Sequence, residues 1–323
     1  MSELQIAGTG YALPQTCLSN ADLENFLDTS DAWIRQRTGI ENRHIAFAET
    51  TSDLALEAAR KALADAAMDP QQVDLILVAT VSPDHFTPSC ACRVQKELGI
   101  EEAVAFDVNA ACSGFLFALH TASRLLEDGQ TALIIGAETL SRIVDWTDRS
   151  SAVLFGDGAG AVVVSKTGTA PFTTWLQTRP DAADVLFAPA FEPLSPQLKR
   201  EPAGFLAMKG AEVFRFAVQA LPASLEKGLE QQGWDLADLD LIIPHQANLR
   251  IIQSAARSLN LEAERFFTNL AEVGNMSAAS LPVALAQAAQ NGRLQPGMHI
   301  ALIGFGAGLS LGAACFTWQK ETL

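Results

Sequence analysis

Apolar positions along the chain recur in two alternating patterns. In "LALEAARKALADAAMDPQQVDLILVAT" (54–80), an Ala-rich stretch with helical spacing meets a proline and then a solid apolar run. This predicts a helix, a turn and a strand buried on both faces. The same order returns in "VQALPASLEKGLEQQGWDLADLDLIIPHQ" (218–246), with Asp74 and Asp240 at equivalent places, 166 residues apart. Further echoes pair "LGIEEAVAF" (98–106) with "LNLEAERFF" (259–267), and residues 112–138 with 276–306, matching Ser113 to Ser277 and Gly136 to Gly304. Offsets that stay near the same value over so many segments predict an internal duplication. Each half alternates strands and helices, so both are α/β. The break falls in "SKTGTAPFTTW" (165–175), giving halves 1–170 and 171–323.

The longest apolar stretch, "HIALIGFGAGLSLGAACF" (299–316), is interrupted by four glycines, which predicts two buried strands around a tight turn rather than a membrane span. Residues 180–204 carry five prolines and little periodicity, and read as a long loop feeding a site. Two Gly-rich stretches, "GTGYALP" (8–14) and "GDGAGA" (156–161), lack the full dinucleotide and phosphate-loop patterns and read as turns between strands.

The net charge of -15 argues against nucleic acid and anionic membranes as partners, since no global positive field draws phosphates in. The five cysteines are odd in number and show no CxxC spacing, so neither a disulfide framework nor a zinc site is suggested. Free thiols and an N-terminus without a signal layout point to the cytoplasm.

The chemistry concentrates at "AFDVNAACSGFLFAL" (105–119), where a strand ends near Val108 and a helix starts around Cys112. A helix start offers unpaired N–H groups and a positive dipole end, both favouring a thiolate. The expectation is that Cys112 is alkylated faster than the other cysteines. In the second half, "EVGNMSAAS" (272–280) opens a helix with Asn275, and "LIIPHQANLRI" (241–251) places His245 directly after a buried strand. In a duplicated fold, equivalent helix starts meet at the pseudo-twofold axis, so Asn275 is expected to face Cys112. A soft nucleophile, a proton carrier and a neutral amide donor are the parts of acyl-transfer chemistry.

Six motifs, "DTSDAWIRQRTGI" (28–40), "DVNAACSGF" (107–115), "TDRSSAVLFGDGAGA" (147–161), "PHQANLRI" (244–251), "GNMSAAS" (274–280) and "GFGAG" (304–308), give the whole chain a resemblance to the β-ketoacyl-acyl-carrier-protein synthase III family of condensing enzymes, in the thiolase superfamily. The resemblance implies a thiolase-like duplicated fold of layered sheets and helices (αβαβα). It implies a decarboxylative Claisen condensation of an acyl-coenzyme A primer with malonyl-acyl carrier protein, through an acyl-Cys112 intermediate, in a homodimer. Coenzyme A is then a substrate carrier, and no resident cofactor or metal is needed. By the same resemblance, His245 and Asn275 bind the malonyl thioester oxygen, and the N–H groups of Cys112 and Gly306 form the acyl oxyanion hole. Trp33 and Arg149 flank the adenine, with Thr29 and Arg37 nearby, and Gly210, Phe214, Ala247 and Asn248 line the pantetheine tunnel.

Arg215, Arg250 and Arg257 are expected to meet the acidic carrier. Asp and Glu are absent from 241–261, and Arg250 and Arg257 lie two turns apart on one helix face. Thr87 stands where the family often has an aromatic on the acyl-pocket wall, contributed across the dimer interface. Met276 and Val273 depart from the usual residues beside Asn275. Two other readings are a starter synthase or acyltransferase of secondary metabolism, sharing the acyl-Cys112 step, and a silent acyl-binding partner subunit. Retention of Cys112, His245 and Asn275 disfavours the latter.

Overall fold

The computed structural model describes residues 3–180, 184–189 and 204–320. Among the described residues, nine of the strands make the two main sheets. Strands β1 (Glu3–Ala12), β2 (Leu75–Ala79), β3 (Val104–Val108), β4 (Thr131–Glu138) and β5 (Gly158–Gly168) lie in the order β1-β5-β4-β2-β3. Strands β6 (Phe172–Thr178), β7 (Leu241–Pro244), β8 (His299–Gly306) and β9 (Ser310–Thr317) lie in the order β6-β9-β8-β7. The two orders and directions correspond: two antiparallel pairings, then a parallel one. The counterpart of β3 is reduced to a parallel bridge between Ile242 and Phe266.

Asp74 and Asp240 do the same work in both sheets. The N–H of Thr131 donates to the Asp74 carboxylate at 2.8 Å, and that of His299 to the Asp240 carboxylate at 2.7 Å. Each carboxylate thereby fixes where its parallel neighbour begins.

Seven helices of at least eight residues surround and separate the sheets: α1 (Asp31–Thr38), α2 (Thr51–Asp65), α3 (Cys90–Leu98), α4 (Gly114–Leu125), α5 (Gly210–Gln232), α6 (Leu249–Leu259) and α7 (Ser280–Gln290). The strands read as unbroken apolar runs because both faces are covered. In β2, Leu77 and Ala79 face the central layer with Leu116, Leu119, Leu281 and Leu285 of α4 and α7, while Ile76 and Val78 face Ala58, Ala62 and Val94 of α2 and α3. On the other side, Ile242, Ala301 and Ile303 pack against Leu221, Leu225, Ile251 and Ala255 of α5 and α6. The layers are αβαβα. Thr50 and Asp53 form a capping box that starts α2.

Most of both Gly-rich stretches, Gly8–Ala12 and Gly158–Ala161, lies in strands and not in turns. Gly8 and Gly10 are in β1, where added Cβ atoms would lie 2.3 Å from the Ala62 carbonyl oxygen and 2.5 Å from that of Ala58. In β5, a Cβ on Gly160 would lie 2.4 Å from the backbone nitrogen of Val283. These glycines let helices approach the sheet closely, a demand that turn statistics do not reveal. The run 299–316 forms the antiparallel pair β8 and β9. Among the described residues, no helix is long and apolar enough to cross a membrane.

Candidate active site

Two short turns, Ala111–Ser113 and Ser277–Ala279, precede the central helices α4 and α7. Ala111 has φ +48° and Ser277 φ +46°, a left-handed conformation that costs a side-chain-bearing residue about 1–2 kcal/mol. Two such residues 166 positions apart set the register of the duplication here: Ala111 corresponds to Ser277 and Cys112 to Ala278. Pairing Ser113 with Ser277 is therefore two residues out, because "CSG" and "MSA" look alike while the left-handed residue that corresponds to Ser277 is Ala111, two positions before Ser113.

The Cys112 turn abuts the end of β8. A Cβ on Gly306 would lie 2.9 Å from the backbone nitrogens of both Cys112 and Ser113. Ser310, at the start of β9, donates its hydroxyl to Ser113 Oγ at 3.1 Å. Cys112 lines a cavity of about 520 Å³ with Asn109, Ser277, Ala307, the Thr80–Pro83 segment, Phe86 and Leu186–Pro189. The last four residues belong to the Pro-rich segment; its residues 181–183 and 190–203 lie outside the described residues.

His245 follows Pro244, the last residue of β7, and donates its backbone N–H to Ile303 O at 2.8 Å. Its ring is buried edge-on against Phe305, and among the described residues neither ring nitrogen has a hydrogen-bond partner. Gln246 locks the chain behind it, with Nε2 donating to Pro244 O and Phe267 O and Oε1 accepting from Asn269 N–H. Asn275 is fixed by backbone bonds to Leu154 and Gly156, and its Oδ1 accepts the Ser277 N–H at 2.9 Å. Ser277 in turn lines the same cavity as Cys112. Asn275 thus reaches the Cys112 turn through Ser277, and His245 through the Gly304–Gly306 end of β8.

A second groove, about 430 Å³, gathers Arg37, Gly210, Phe214, Arg215, Asn248 and Arg250. Asn248 caps α6 and donates Nδ2 to Arg37 O at 3.1 Å. The Arg250 guanidinium lies 5.4 Å from the Phe214 ring centre. Arg149 sits 4.8 Å from the Trp33 ring centre and Arg37 5.9 Å, and Arg149 also donates to Asp28 O. A planar group entering between Trp33 and Arg149 therefore has to displace that guanidinium. Ala247 is half-buried beside Asn248, Thr29 keeps its hydroxyl buried without a partner, and Arg257 is exposed in the last turn of α6, outside the groove. Within the chain, Phe86 and not Thr87 lines the cavity. The chain turns at Pro88 into the Ser89 cap of α3, leaving Thr87 exposed.

Residues 106–180 match the family model for 3-oxoacyl-[acyl-carrier-protein] synthase III, and residues 229–318 match the model for its C-terminal part. A β-ketoacyl-[acyl-carrier-protein] synthase III of Clostridium acetobutylicum is 43% identical, over 99% of this chain and all of that protein. The chain belongs to this family. The crystal structure of 3-oxoacyl-[acyl-carrier-protein] synthase III from Aquifex aeolicus superposes with a TM-score of 0.91 at 41% identity, over 98% of this chain and all of that one. A priming β-ketosynthase from a polyketide biosynthetic pathway superposes with a TM-score of 0.89, at 32% identity over 99% of this chain and 97% of that one.

In this condensing-enzyme chain, burial decides the electrostatics. It pushes the Cys112 thiol up to about 11, with the Glu138 charge pushing the same way as burial. The helix start therefore does not by itself make Cys112 the most reactive thiol; Cys17 and Cys92 are exposed. Burial lowers His245 to about 3, so the imidazole is neutral at neutral pH. Glu138, which ends β4, is fully buried and accepts from Ser82 Oγ at 2.6 Å and Val81 N–H at 3.1 Å. Sequence reasoning missed it; the available signal was a carboxylate closing an otherwise apolar strand, "TALIIGAE". Among the described residues there is no group of three or more His, Cys, Asp or Glu able to hold a metal ion.

Gly306→Ala is expected to destabilise the fold by about 1–3 kcal/mol through overpacking, and to slow Cys112 modification at least tenfold. Thermal denaturation and intact-mass kinetics check the two effects; a tolerated alanine with normal acylation would show that the β8 end has room to spare.

Proposed function

We propose that the protein catalyses the decarboxylative condensation of an acyl-coenzyme A with malonyl-acyl carrier protein, giving 3-oxoacyl carrier protein, coenzyme A and CO₂, the step that initiates fatty-acid synthesis. The observation carrying this reading is Cys112, held on a strained turn at the cavity floor with Gly306 against its backbone nitrogen. The 43% and 41% identity to the synthase III proteins of Clostridium acetobutylicum and Aquifex aeolicus, against 32% to the polyketide priming enzyme, favours it over a secondary-metabolite starter role.

Cys112 takes the acyl group, whose oxygen is held by the N–H groups of Cys112 and Gly306. His245 and Asn275 donate to the malonyl thioester oxygen, so that loss of CO₂ leaves a stabilised enolate, which attacks acyl-Cys112. The reaction uses no resident cofactor, since coenzyme A arrives and leaves as substrate and product. Thr29, Trp33, Arg37 and Arg149 hold the nucleotide end, and Gly210, Phe214, Ala247 and Asn248 the pantetheine. The halves 1–170 and 171–323 supply nucleophile and oxygen-binding residues respectively. Strand β3 is an edge strand with Val104 61% exposed, which favours a homodimer built on that edge; Thr87 then faces the partner's acyl pocket. The protein works in the cytoplasm.

The test is mass spectrometry of the protein after exposure to a panel of acyl-coenzyme A thioesters, followed by product analysis with malonyl carrier protein. An acyl adduct mapped to Cys112 and a 3-oxoacyl carrier product are expected. An adduct without that product points to a different acyl acceptor.

The carrier contact carries its own prediction. An acidic carrier is repelled by a chain of charge -15, so docking relies on local cations within about 8 Å, one Debye length. Arg215, Arg250 and Arg257 supply them. Arg250→Glu is expected to raise KM for malonyl carrier protein about tenfold or more while changing Cys112 acylation from free acyl-coenzyme A far less. Equal loss in both half-reactions would assign Arg250 to coenzyme A or to the fold instead.

A further inference from the structure

A backbone clamp sets the place of Asn275. Its N–H donates to Leu154 O at 2.9 Å and its carbonyl accepts the Gly156 N–H at 3.0 Å, a parallel bridge to Phe155. The residue before it, Gly274, has φ +68°, and a Cβ there would lie 3.0 Å from Leu154 O. Asn275 is thus only as fixed as the segment 153–156, which links the short helix Arg149–Ala152 to β5.

Arg43 holds that segment. It sits in the short strand Asn42–His44, paired with Cys17–Ser19, and is fully buried. Its Cβ lies against both glycines of the clamp: added Cβ atoms on Gly156 and Gly274 would come within 3.2 and 3.5 Å of it. Its guanidinium donates from Nη2 to Val153 O at 3.2 Å and to Asn20 Oδ1 at 2.7 Å, and from Nη1 to Leu18 O at 3.2 Å. The Asn20 amide is itself fixed, donating to Ile40 O and to Asp31 Oδ1, both at 2.8 Å. The three acceptors of the guanidinium are neutral, and among the described residues no ion pair includes Arg43. A buried cation without a carboxylate is a costly way to fill space, and an apolar side chain of similar length would fill it at less cost. What the guanidinium supplies, and such a side chain cannot, is a rigid fork of donors that reaches three chain segments at once. Burial lowers it to about 10, so it stays charged at neutral pH.

We propose that Arg43 is a positioning residue for the condensation: by pinning Val153 O and packing against Gly156 and Gly274, it fixes the clamp and so the angle at which the Asn275 amide meets the malonyl thioester oxygen. The inference rests on the role of Asn275 proposed above. Cys112 and Gly306 stand on other elements, the turn before α4 and the end of β8. A loosened clamp therefore slows decarboxylation and spares acylation.

Wild type, Arg43→Met, Asn275→Ala and the double variant are compared in two readouts. One is rapid-quench acylation of Cys112 by acetyl- and butyryl-coenzyme A; the other is CO₂ release from malonyl carrier protein by enzyme acylated beforehand. Arg43→Met is expected to slow CO₂ release about 10- to 100-fold, the cost of a misplaced group. KM for the malonyl carrier and the acylation rate should stay within about threefold of wild type. The double variant should release CO₂ no more slowly than Asn275→Ala alone, since Arg43 then has nothing left to position. A double variant slowed by the product of the two single effects overturns the proposal. So does an Arg43→Met protein whose two half-reactions fall together with its melting temperature, or one that releases CO₂ at the wild-type rate. Should Arg43→Met not fold, Arg43→Lys takes its place in the same cycle: it keeps the charge and loses the fork, and wild-type CO₂ release there overturns the proposal. An Asn275→Ala protein with normal CO₂ release removes the reading of Asn275 itself, and the role of Arg43 falls with it; loss in Asn275→Ala without loss in Arg43→Met overturns the role of Arg43 alone.

Discussion

Replacing Cys112 by serine is expected to lower turnover about 10⁵-fold and to leave no acyl adduct on the 105–119 peptide. Serine keeps the size of the side chain and the strained turn at Ala111, so the cavity and the N–H groups around it persist. What changes is the nucleophile. A thiol buried to about 11 is still within reach of proton transfer, whereas an alkoxide in the same apolar surroundings is far less accessible, and the soft sulfur is the better attacker of a thioester. The measurement needs peptide mapping as well as rate, because the exposed Cys17 and Cys92 can take adventitious label. A serine variant that keeps a tenth of the activity would remove Cys112 from the chemistry.

The layered architecture was legible because it is written in runs. Strands β2, β4 and β8 are continuous apolar segments that nothing but a sheet covered on both faces accommodates, and Asp74 and Asp240 mark the same junction twice. Cys112, His245 and Asn275 could be picked out because each stands at an abrupt change of pattern, a helix start or a strand exit. The misses share another cause, namely that they depend on approach distances. Gly8 and Gly10 serve helix α2 across the sheet, and a single strand's sequence does not say how close a helix will come. Phe86 and Thr87 are adjacent, and only the course of the chain into α3 decides which of them lines the cavity. Burial also raises the Cys112 thiol, a cost that its place at a helix start does not reveal in the sequence. Glu138 meets the Ser277 turn only through the fold of β4.

His245→Ala and Asn275→Ala are each expected to lower condensation about 10³-fold while leaving acylation of Cys112 within about tenfold of normal. The split follows from where the two side chains stand. The proposed acyl oxyanion hole is formed by Cys112 and Gly306, whereas His245 sits beside Gly304 against Phe305 and Asn275 lies beyond Ser277. Among the described residues neither His245 ring nitrogen has a hydrogen-bond partner, so its N–H is available to donate to a substrate oxygen. With its pKa lowered to about 3, the ring is neutral at working pH. In the proposed decarboxylation it therefore donates from a neutral N–H to the oxygen that becomes negative, with no proton gained or lost. The sign of the pH dependence follows: protonating His245 requires pH to fall far below its ordinary range, so between pH 5 and 8 condensation should show no limb from this residue. Rates of acyl-Cys112 formation and of CO₂ release from malonyl carrier protein, measured separately on each variant, decide the matter. Condensation at the wild-type rate in both variants, or acylation lost as deeply as decarboxylation, would mean that the enolate oxygen is held elsewhere.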